Sequence, residues 1–168
     1  MVVLGVLIHE RLSFKPHIDN VVSRCAQTFY ALRVLKSAEL CGCALWDVAN
    51  AVLISRIMYA SPAWWGFTDA SDGQRLQSII NKAVKQGFLS PAQVLLIELC
   101  QQADETLFTG ILRNRNHVLH CFLPPEQQTG YTLRPRAHDR SRLPGDVNPL
   151  LRKNFIYRSL SDNFFYSN

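Results

Sequence analysis

The sequence is 168 residues long and 48% hydrophobic, with a formal net charge of +5, so intrinsic disorder is not expected. The surplus of 18 Lys and Arg over 13 Asp and Glu is mild, and it permits an anionic partner such as nucleic acid without requiring one. The five cysteines are an odd number, which favours a reducing intracellular compartment, the nucleus or the cytoplasm, over a disulfide framework.

The first predicted element is a β-strand. Residues 2–8 form a continuous apolar, β-branched run, which is typical of a strand buried on both faces of a sheet. Gly5 interrupts this run and no basic residue precedes it, so neither a signal peptide nor a membrane span is predicted, and no membrane partner is expected. No other convincing strand follows, so we expect the partners of this strand to lie outside this sequence.

Two helices are predicted next. Apolar residues at three- and four-residue steps after Pro16 predict a first helix over about residues 17–37. Beyond Cys41-Gly42-Cys43 the same pattern predicts a second helix over about residues 45–59. Pro62 is expected to end it, because proline lacks a backbone donor and clashes with the turn before it.

Capping residues mark the remaining helices. Asp69 or Ser71 can cap a third helix that continues to Gly87, with Arg75, Lys82 and Lys85 on its polar face. The later predictions are a segment from Ser90-Pro91 to about Gln102, a helix capped by Asp104 that ends at Asn114, a short helix through Val118 and Leu119, a loop over residues 126–148 and a last helix over Leu150–Leu160.

Several short sequence motifs, termed phrases below, occur in order along the chain. They are Leu4-Gly5-Val6, Leu12-Ser13-Phe14, His17-Ile18, Tyr59-Ala60-Ser61-Pro62-Ala63-Trp64-Trp65-Gly66, Arg75-Leu76-Gln77 and Asn81-Lys82-Ala83, followed by Arg134-Pro135-Arg136-Ala137-His138 and Asn154-Phe155-Ile156. In this order and spacing, they resemble the region that follows the catalytic motifs in LINE-type, non-LTR retrotransposon reverse transcriptases of the Jockey and CR1 kind. His9 departs from the Asp usual in that family, and Met1 would begin inside the palm, so a fragment is expected.

The resemblance implies a mainly α fold. It predicts a helical, thumb-like bundle of about four to six helices, one short N-terminal strand left over from a palm sheet, and an irregular basic C-terminal tail. Residues 1–12 would be the remnant of the palm strand, residues 13–125 the helical thumb-like domain, and residues 126–168 a basic loop and terminal helix.

Nucleotidyl transfer in that family requires two metal ions held by palm carboxylates, typically an adjacent Asp pair. No such pair occurs in this sequence, and Asp104-Glu105 is better explained as the acidic start of a helix. The chain is therefore predicted not to be an enzyme, although its parent family is an RNA-directed DNA polymerase, unless another subunit supplies the carboxylates.

No cofactor and no metal ligand is predicted. The residues that suggest zinc do not have the spacing of a paired-cysteine knuckle, so structural roles are preferred for them. These residues are His117, His120 and Cys121, with Cys41 and Cys43 elsewhere.

The remaining chemistry is phosphate contact by basic side chains. In the family the thumb clasps the template–primer duplex, and the resemblance carries this role to Arg24, Arg33 and Lys36 on the first helix, with Lys82 and Lys85 on the third as weaker candidates. A solvated helix face explains the same residues about as well.

Two further features can contact nucleic acid. The densest positive charge in the chain suits bidentate phosphate contact, although a solubilising linker is an equal alternative, and it comprises Arg134, Arg136, Arg140 and Arg142. Trp64 and Trp65 can stack on bases, although large aromatics at a helix end more often fill a corner of the core.

Two functions follow from these observations. The first is a reverse-transcriptase-derived fragment with at most weak, sequence-independent affinity for RNA–DNA or DNA duplex. The second is a helical protein-interaction module or a non-functional retrotransposon relic, whose apolar surface contacts a palm domain or another protein.

Overall fold

The computed structural model describes residues 1–125 and 148–162. Within them the chain is mainly helical with one short two-stranded sheet at its N-terminus, which confirms the predicted fold class. It divides into two compact units, an N-terminal unit over Met1–Gln101 and a C-terminal unit that begins at Gln102, and each contains its own apolar core. The predicted C-terminal region begins at residue 126, outside the described residues, and stays a prediction.

The strands are β1 (Val2–Val3) and β2 (Val6–Leu7). The helices are α1 (Lys15–Ser37), α2 (Gly42–Ala49), α3 (Ser55–Met58), α4 (Ser61–Trp64), α5 (Ala70–Lys85), α6 (Leu96–Arg113), α7 (Pro149–Arg152) and α8 (Phe155–Asp162). A π-helix over Asn50–Ile54 joins α2 to α3, and 3₁₀ turns cover Trp65–Phe67 and His120–Phe122.

β1 and β2 pair as an antiparallel hairpin. The two residues between them, Leu4 and Gly5, both have positive φ, 47° and 82°, as a type I′ hairpin turn requires. Val6 is buried, whereas Val2 and Val3 are exposed. The prediction of one strand buried on both faces is therefore wrong, because Gly5 reverses the chain and the apolar run pairs with itself.

α1 confirms the first predicted helix and runs in the same direction as α5. Near their N-termini, Arg75 Nη2 lies 2.7 Å from Asp19 Oδ1. Near their C-termini, Lys36 Nζ donates to the Gln86 carbonyl oxygen at 2.7 Å. The C-terminal ends of the two helices therefore lie side by side.

The second predicted helix is present as α2, the π-helix and α3, but Pro62 does not end it. The break comes at Ala60, whose φ of 52° is left-handed, and Pro62 instead lies in the first turn of α4, where its missing N–H costs nothing. Trp64 Nε1 donates to the Tyr59 carbonyl oxygen at 2.9 Å and holds this corner. The prediction was wrong because a proline can open a helix as well as close one.

The helical stretch Gly42–Phe67 is the one candidate membrane span in the part of the chain that the structure describes, judged by length and composition only. Core helices pass the same test. A single stretch of this kind is weak evidence for a membrane span. Leu45, Leu53 and Ile57 within it belong to the core of the N-terminal unit, although only 22% of the apolar window is buried.

Both predicted ends of α5 are confirmed. Asp69 Oδ1 accepts from the Asp72 N–H at 2.7 Å, and this hydrogen bond is the main reason that the pKa of Asp69 is lowered. At the other end, Gly87 has a φ of 75°, and the Phe88 N–H donates to the Ala83 carbonyl oxygen at 2.9 Å. This is a Schellman closure, which glycine forms without strain.

α6 is one continuous helix where two segments were predicted. It begins at Leu96, whose N–H donates to Gln77 Oε1 at 2.8 Å, and not at Ser90-Pro91. Asp104 lies inside it, and Asp104 Oδ2 is 2.6 Å from Arg158 Nη2. The prediction that Asp104 caps a separate helix is therefore wrong, because no helix-breaking residue lies between Gln102 and Asp104 and the helix continues through both.

The last predicted helix is present as two short ones, each with an asparagine at its start. Asn148 Oδ1 accepts from the Leu150 N–H at 3.0 Å, and Asn154 Oδ1 accepts from the Ile156 N–H at 2.9 Å. The core of the C-terminal unit consists of Phe108, Ile111, Leu123, Phe155 and Leu160. Most of the loop predicted over 126–148 lies outside the described residues.

Candidate nucleic-acid interface

The parallel C-terminal ends of α1 and α5 carry four exposed basic side chains, which we term the basic end: Arg33, Lys36, Lys82 and Lys85. The C-terminal halves of both helices contain no Asp or Glu. The acidic residues of the two helices, Asp19 and Asp72, lie in their N-terminal halves. Positive charge is therefore concentrated at one end of the helix pair.

Two members of the basic end cross the contact between the helices. Lys36 Nζ, besides its hydrogen bond to Gln86, lies 5.7 Å from the centroid of the Phe88 ring. Lys82 Nζ lies 5.3 Å from the centroid of the Phe29 ring, and the two phenylalanine centroids are 5.8 Å apart. Each ammonium is thus close enough to a ring face for a cation–π interaction. Packing brings together candidates that the sequence places on separate helices.

The same lysines also stabilise the fold. Each helix C-terminus carries a partial negative charge of roughly half an elementary charge, and cations in the last turn offset it. Lys36 occupies the last turn of α1, and Lys82 and Lys85 occupy that of α5. Part of the positive charge of the basic end is therefore offset within the protein.

Arg24 does not belong to the basic end. At 3.6 residues per turn, it lies about half a turn away from Arg33 around the axis of α1. Its Nε donates to Asn20 Oδ1 at 3.2 Å, and its carbonyl oxygen accepts from Arg56 Nη1 at 3.2 Å. The structure separates this residue from the two that the sequence grouped with it.

Arg75 has a structural role at the N-terminal ends of α1 and α5. It pairs with Asp19 at 2.7 Å and with the buried Asp72 at 2.6 Å. The hydrogen bond to Asp19, followed by that to Asp72, raises the pKa of Arg75. Its charge is balanced by two carboxylates and contributes little to binding an anion.

The arginines of the predicted C-terminal loop lie outside the described residues. Their proposed phosphate contact stays a prediction for Arg134, Arg136, Arg140 and Arg142.

Trp64 is fully buried, so its ring cannot stack on a base. It packs edge-on against His17 and Trp65, with ring centroids 5.6 and 6.2 Å apart. Trp65 is half-buried beside it. For Trp64, this confirms the alternative in which the aromatic fills a corner of the core.

No group of three or more His, Cys, Asp or Glu side chains that could hold a metal ion occurs within residues 1–125 and 148–162. His117 Nδ1 accepts from the Leu119 N–H at 3.1 Å, and Cys121 Sγ donates to the Val118 carbonyl oxygen at 3.3 Å. All five cysteines are free thiols. Burial raises the pKa of Cys25 to about 11, so it stays protonated and unreactive at neutral pH.

His17 is buried against Trp64, and neither of its ring nitrogens has a hydrogen-bond partner among the described residues. Burial lowers the pKa of His17 below 6.5. In the unfolded chain the ring takes up its proton near pH 6.5, whereas in the folded chain it stays neutral to lower pH. Acid therefore favours the unfolded state in this window.

We expect the free energy of unfolding of the N-terminal unit to be unaffected by His17 above about pH 6.5 and to fall below it, by at most about 1.4 kcal/mol per pH unit. Urea unfolding at a series of pH values from about 7.5 to about 5 measures this loss of unfolding free energy. In the His17→Phe variant the loss should be smaller. An identical pH profile in both proteins would show that His17 is not its source.

No protein-family model, curated protein or solved structure matches this chain. The resemblance to LINE-type reverse transcriptases therefore depends on the phrases quoted above.

Sequence reasoning missed one exposed aromatic residue near the basic end. Tyr30 follows Phe29 directly, and its side chain is 70% exposed. It falls outside the buried stripe of α1 that contains Val21, Cys25 and Leu32. A large ring at a polar position of an amphipathic helix was the available signal.

Proposed function

We propose that the chain is the thumb and C-terminal extension of a LINE-type, non-LTR retrotransposon reverse transcriptase of the Jockey or CR1 kind. In this proposal the basic end binds the phosphates of nucleic acid weakly and without sequence preference. The observation that supports it best is the convergence of Lys36 and Lys82 at one end of a parallel helix pair whose C-terminal halves contain no acidic residue.

The proposed affinity is mainly electrostatic. Each phosphate that a Lys or Arg neutralises releases condensed counterions, so binding weakens as salt rises. If all four side chains of the basic end contact phosphates, log K falls with log salt with a slope of roughly −3 to −4. Because the helix dipoles already attract these cations, the number of phosphates actually neutralised is expected to be smaller.

The proposal assigns no polymerase activity to this chain alone. Phosphoryl transfer requires metal ions held by clustered carboxylates, and no Asp-Asp pair occurs in the sequence. The Asp104 carboxylate, the nearest imitation, is paired with Arg158. Metal-dependent primer extension by the purified chain would contradict this part of the proposal.

Fluorescence anisotropy with labelled DNA duplex and RNA–DNA hybrid, measured over a salt series, tests the binding site. The variant with both Arg33→Ala and Lys85→Ala removes the two charges of the basic end that lie beside the Lys36 and Lys82 ring contacts. We expect its salt slope to be less steep than that of the unsubstituted chain by up to about 2. Both duplexes should weaken alike, because the contacts are to phosphates.

Arg24→Ala is the matched control, since it removes one exposed arginine from the other side of α1. It should leave the slope unchanged. A loss confined to Arg24→Ala would place any binding elsewhere, and binding that salt does not affect would contradict an electrostatic interface.

A protein-interaction module is the second candidate, supported by exposed apolar side chains in the N-terminal unit. They lie on the hairpin and around the start of α6, in the segment that precedes it and in its first turn: Met1, Val2, Leu4, Val94, Leu95 and Ile97. Exposed apolar side chains commonly mark a protein contact where they form one patch. Absence of nucleic-acid binding at low salt would favour this candidate.

A further inference from the structure

We propose that Tyr30 makes the basic end a site for single-stranded nucleic acid, in which an unpaired base stacks on the Tyr30 ring while Arg33 and Lys82 contact its phosphates. This inference rests on the proposed function and narrows it from any nucleic acid to an unpaired strand. Its basis is the placement of one exposed ring among cations from two helices.

The Tyr30 ring is available for stacking. Its side chain is 70% exposed, in the middle of a helix whose buried face is already filled by Cys25, Phe29 and Leu32. Exposure of a large aromatic ring is unfavourable in water, and a base covers such a ring with a gain of about 1–3 kcal/mol.

Two basic side chains lie on the same turns of the helix pair as Tyr30. Arg33 lies three positions further along α1, so the two side chains are neighbours on the helix surface. Lys82 of α5 reaches the same turn of α1, since its ammonium lies 5.3 Å from the ring of Phe29, although Phe29 and Tyr30 point in directions about 100° apart around the helix axis. A nucleotide whose base covers Tyr30 would therefore have its phosphates next to positive charge.

The Tyr30 ring is the reason that we expect the site to accept a single strand. Phosphate contacts alone do not select a single strand, whereas stacking on a protein ring requires a base whose face is not already covered by its neighbours. A duplex offers such a face only at its ends. The Tyr30 ring should therefore add affinity for a single strand and none for the body of a duplex.

Anisotropy with fluorescein-labelled oligothymidylate and with a closed hairpin duplex, on the full chain, tests this. Tyr30→Ala should weaken binding of the single strand by about 5- to 150-fold and leave duplex binding unchanged. Tyr30→Phe keeps the ring and should keep the affinity. Val52→Ala, at an exposed apolar residue outside α1 and α5, is the control and should change neither.

Photocrosslinking provides a second readout that a merely structural role for Tyr30 would not change. An oligothymidylate in which 5-iodouracil replaces thymine should crosslink to the peptide that contains Tyr30, and the Tyr30→Ala variant should lose this product. Unchanged single-strand affinity in Tyr30→Ala, or equal weakening of single strand and duplex, would overturn the stacking proposal while leaving phosphate binding intact. No binding of either nucleic acid by the unsubstituted chain would overturn both proposals.

Discussion

Replacing Trp64 by alanine is expected to lower the free energy of unfolding of the N-terminal unit by about 3–5 kcal/mol. The side chain is fully buried, and its indole N–H holds the Tyr59 carbonyl oxygen at the left-handed corner before α4. The variant loses the apolar transfer energy, leaves a cavity and frees a carbonyl group. Such a loss is a large share of the stability of an ordinary domain.

Urea unfolding followed by far-UV circular dichroism measures this loss, and amide hydrogen exchange in α1 assigns it to the N-terminal unit. Trp65→Ala is the matched control, because Trp65 is only half-buried and should lose less. Trp64→Phe, which retains an aromatic ring, is the variant to measure if Trp64→Ala does not fold. A loss below about 1 kcal/mol in Trp64→Ala would contradict the assigned core role.

Asp104→Asn is expected to destabilise the C-terminal unit by about 3 kcal/mol. The two side chains of the ion pair, Asp104 and Arg158, are only 14% and 15% exposed. Removing one charge leaves the Arg158 guanidinium largely desolvated beside a neutral amide, which is costlier than removing both. The expected loss of unfolding free energy lies at the low end of the range for broken buried ion pairs, because neither side chain is completely buried.

Asparagine separates the two explanations of this residue. Asp and Asn cap helices equally well, so a capping role predicts almost no change in Asp104→Asn. Hydrogen exchange of the α8 amides reports the stability of the C-terminal unit directly. Asp104→Leu combined with Arg158→Met should recover part of the loss, because it removes the uncompensated charge. Unchanged hydrogen exchange of the α8 amides in Asp104→Asn would contradict a role of the ion pair in stabilising the C-terminal unit.

The helices were predictable because their signals are local. The apolar stripe of α1, the Asp69 cap and the Gly87 closure of α5 each act within one or two turns, and all three are present. The wrong predictions concern residues whose local sequence is compatible with two structural roles. Pro62 can end a helix or open one, and Asp104 can cap a helix or pair with a distant arginine.

The hairpin shows the same limit. An apolar β-branched run is compatible with one long strand or with two short ones, and a single glycine decides between them only when neighbouring packing favours a reversal. Here Gly5 lies against Tyr59, with the nearest ring carbon 3.7 Å from the position of an added Cβ, and the Tyr59 hydroxyl donates to the Leu4 carbonyl oxygen at 2.8 Å. That contact joins residues far apart in the sequence.

By itself, the sequence determined that this protein is mainly helical and where most of its helices begin and end, because capping and amphipathic periodicity are properties of neighbouring residues. Only the tertiary structure decided which basic side chains meet. The parallel packing of α1 and α5 joins Lys36 and Lys82 and leaves Arg24 on another side. The physical reason is that helix pairing depends on the shape and burial of both apolar faces, and a one-dimensional pattern does not contain the direction or rotation of that contact.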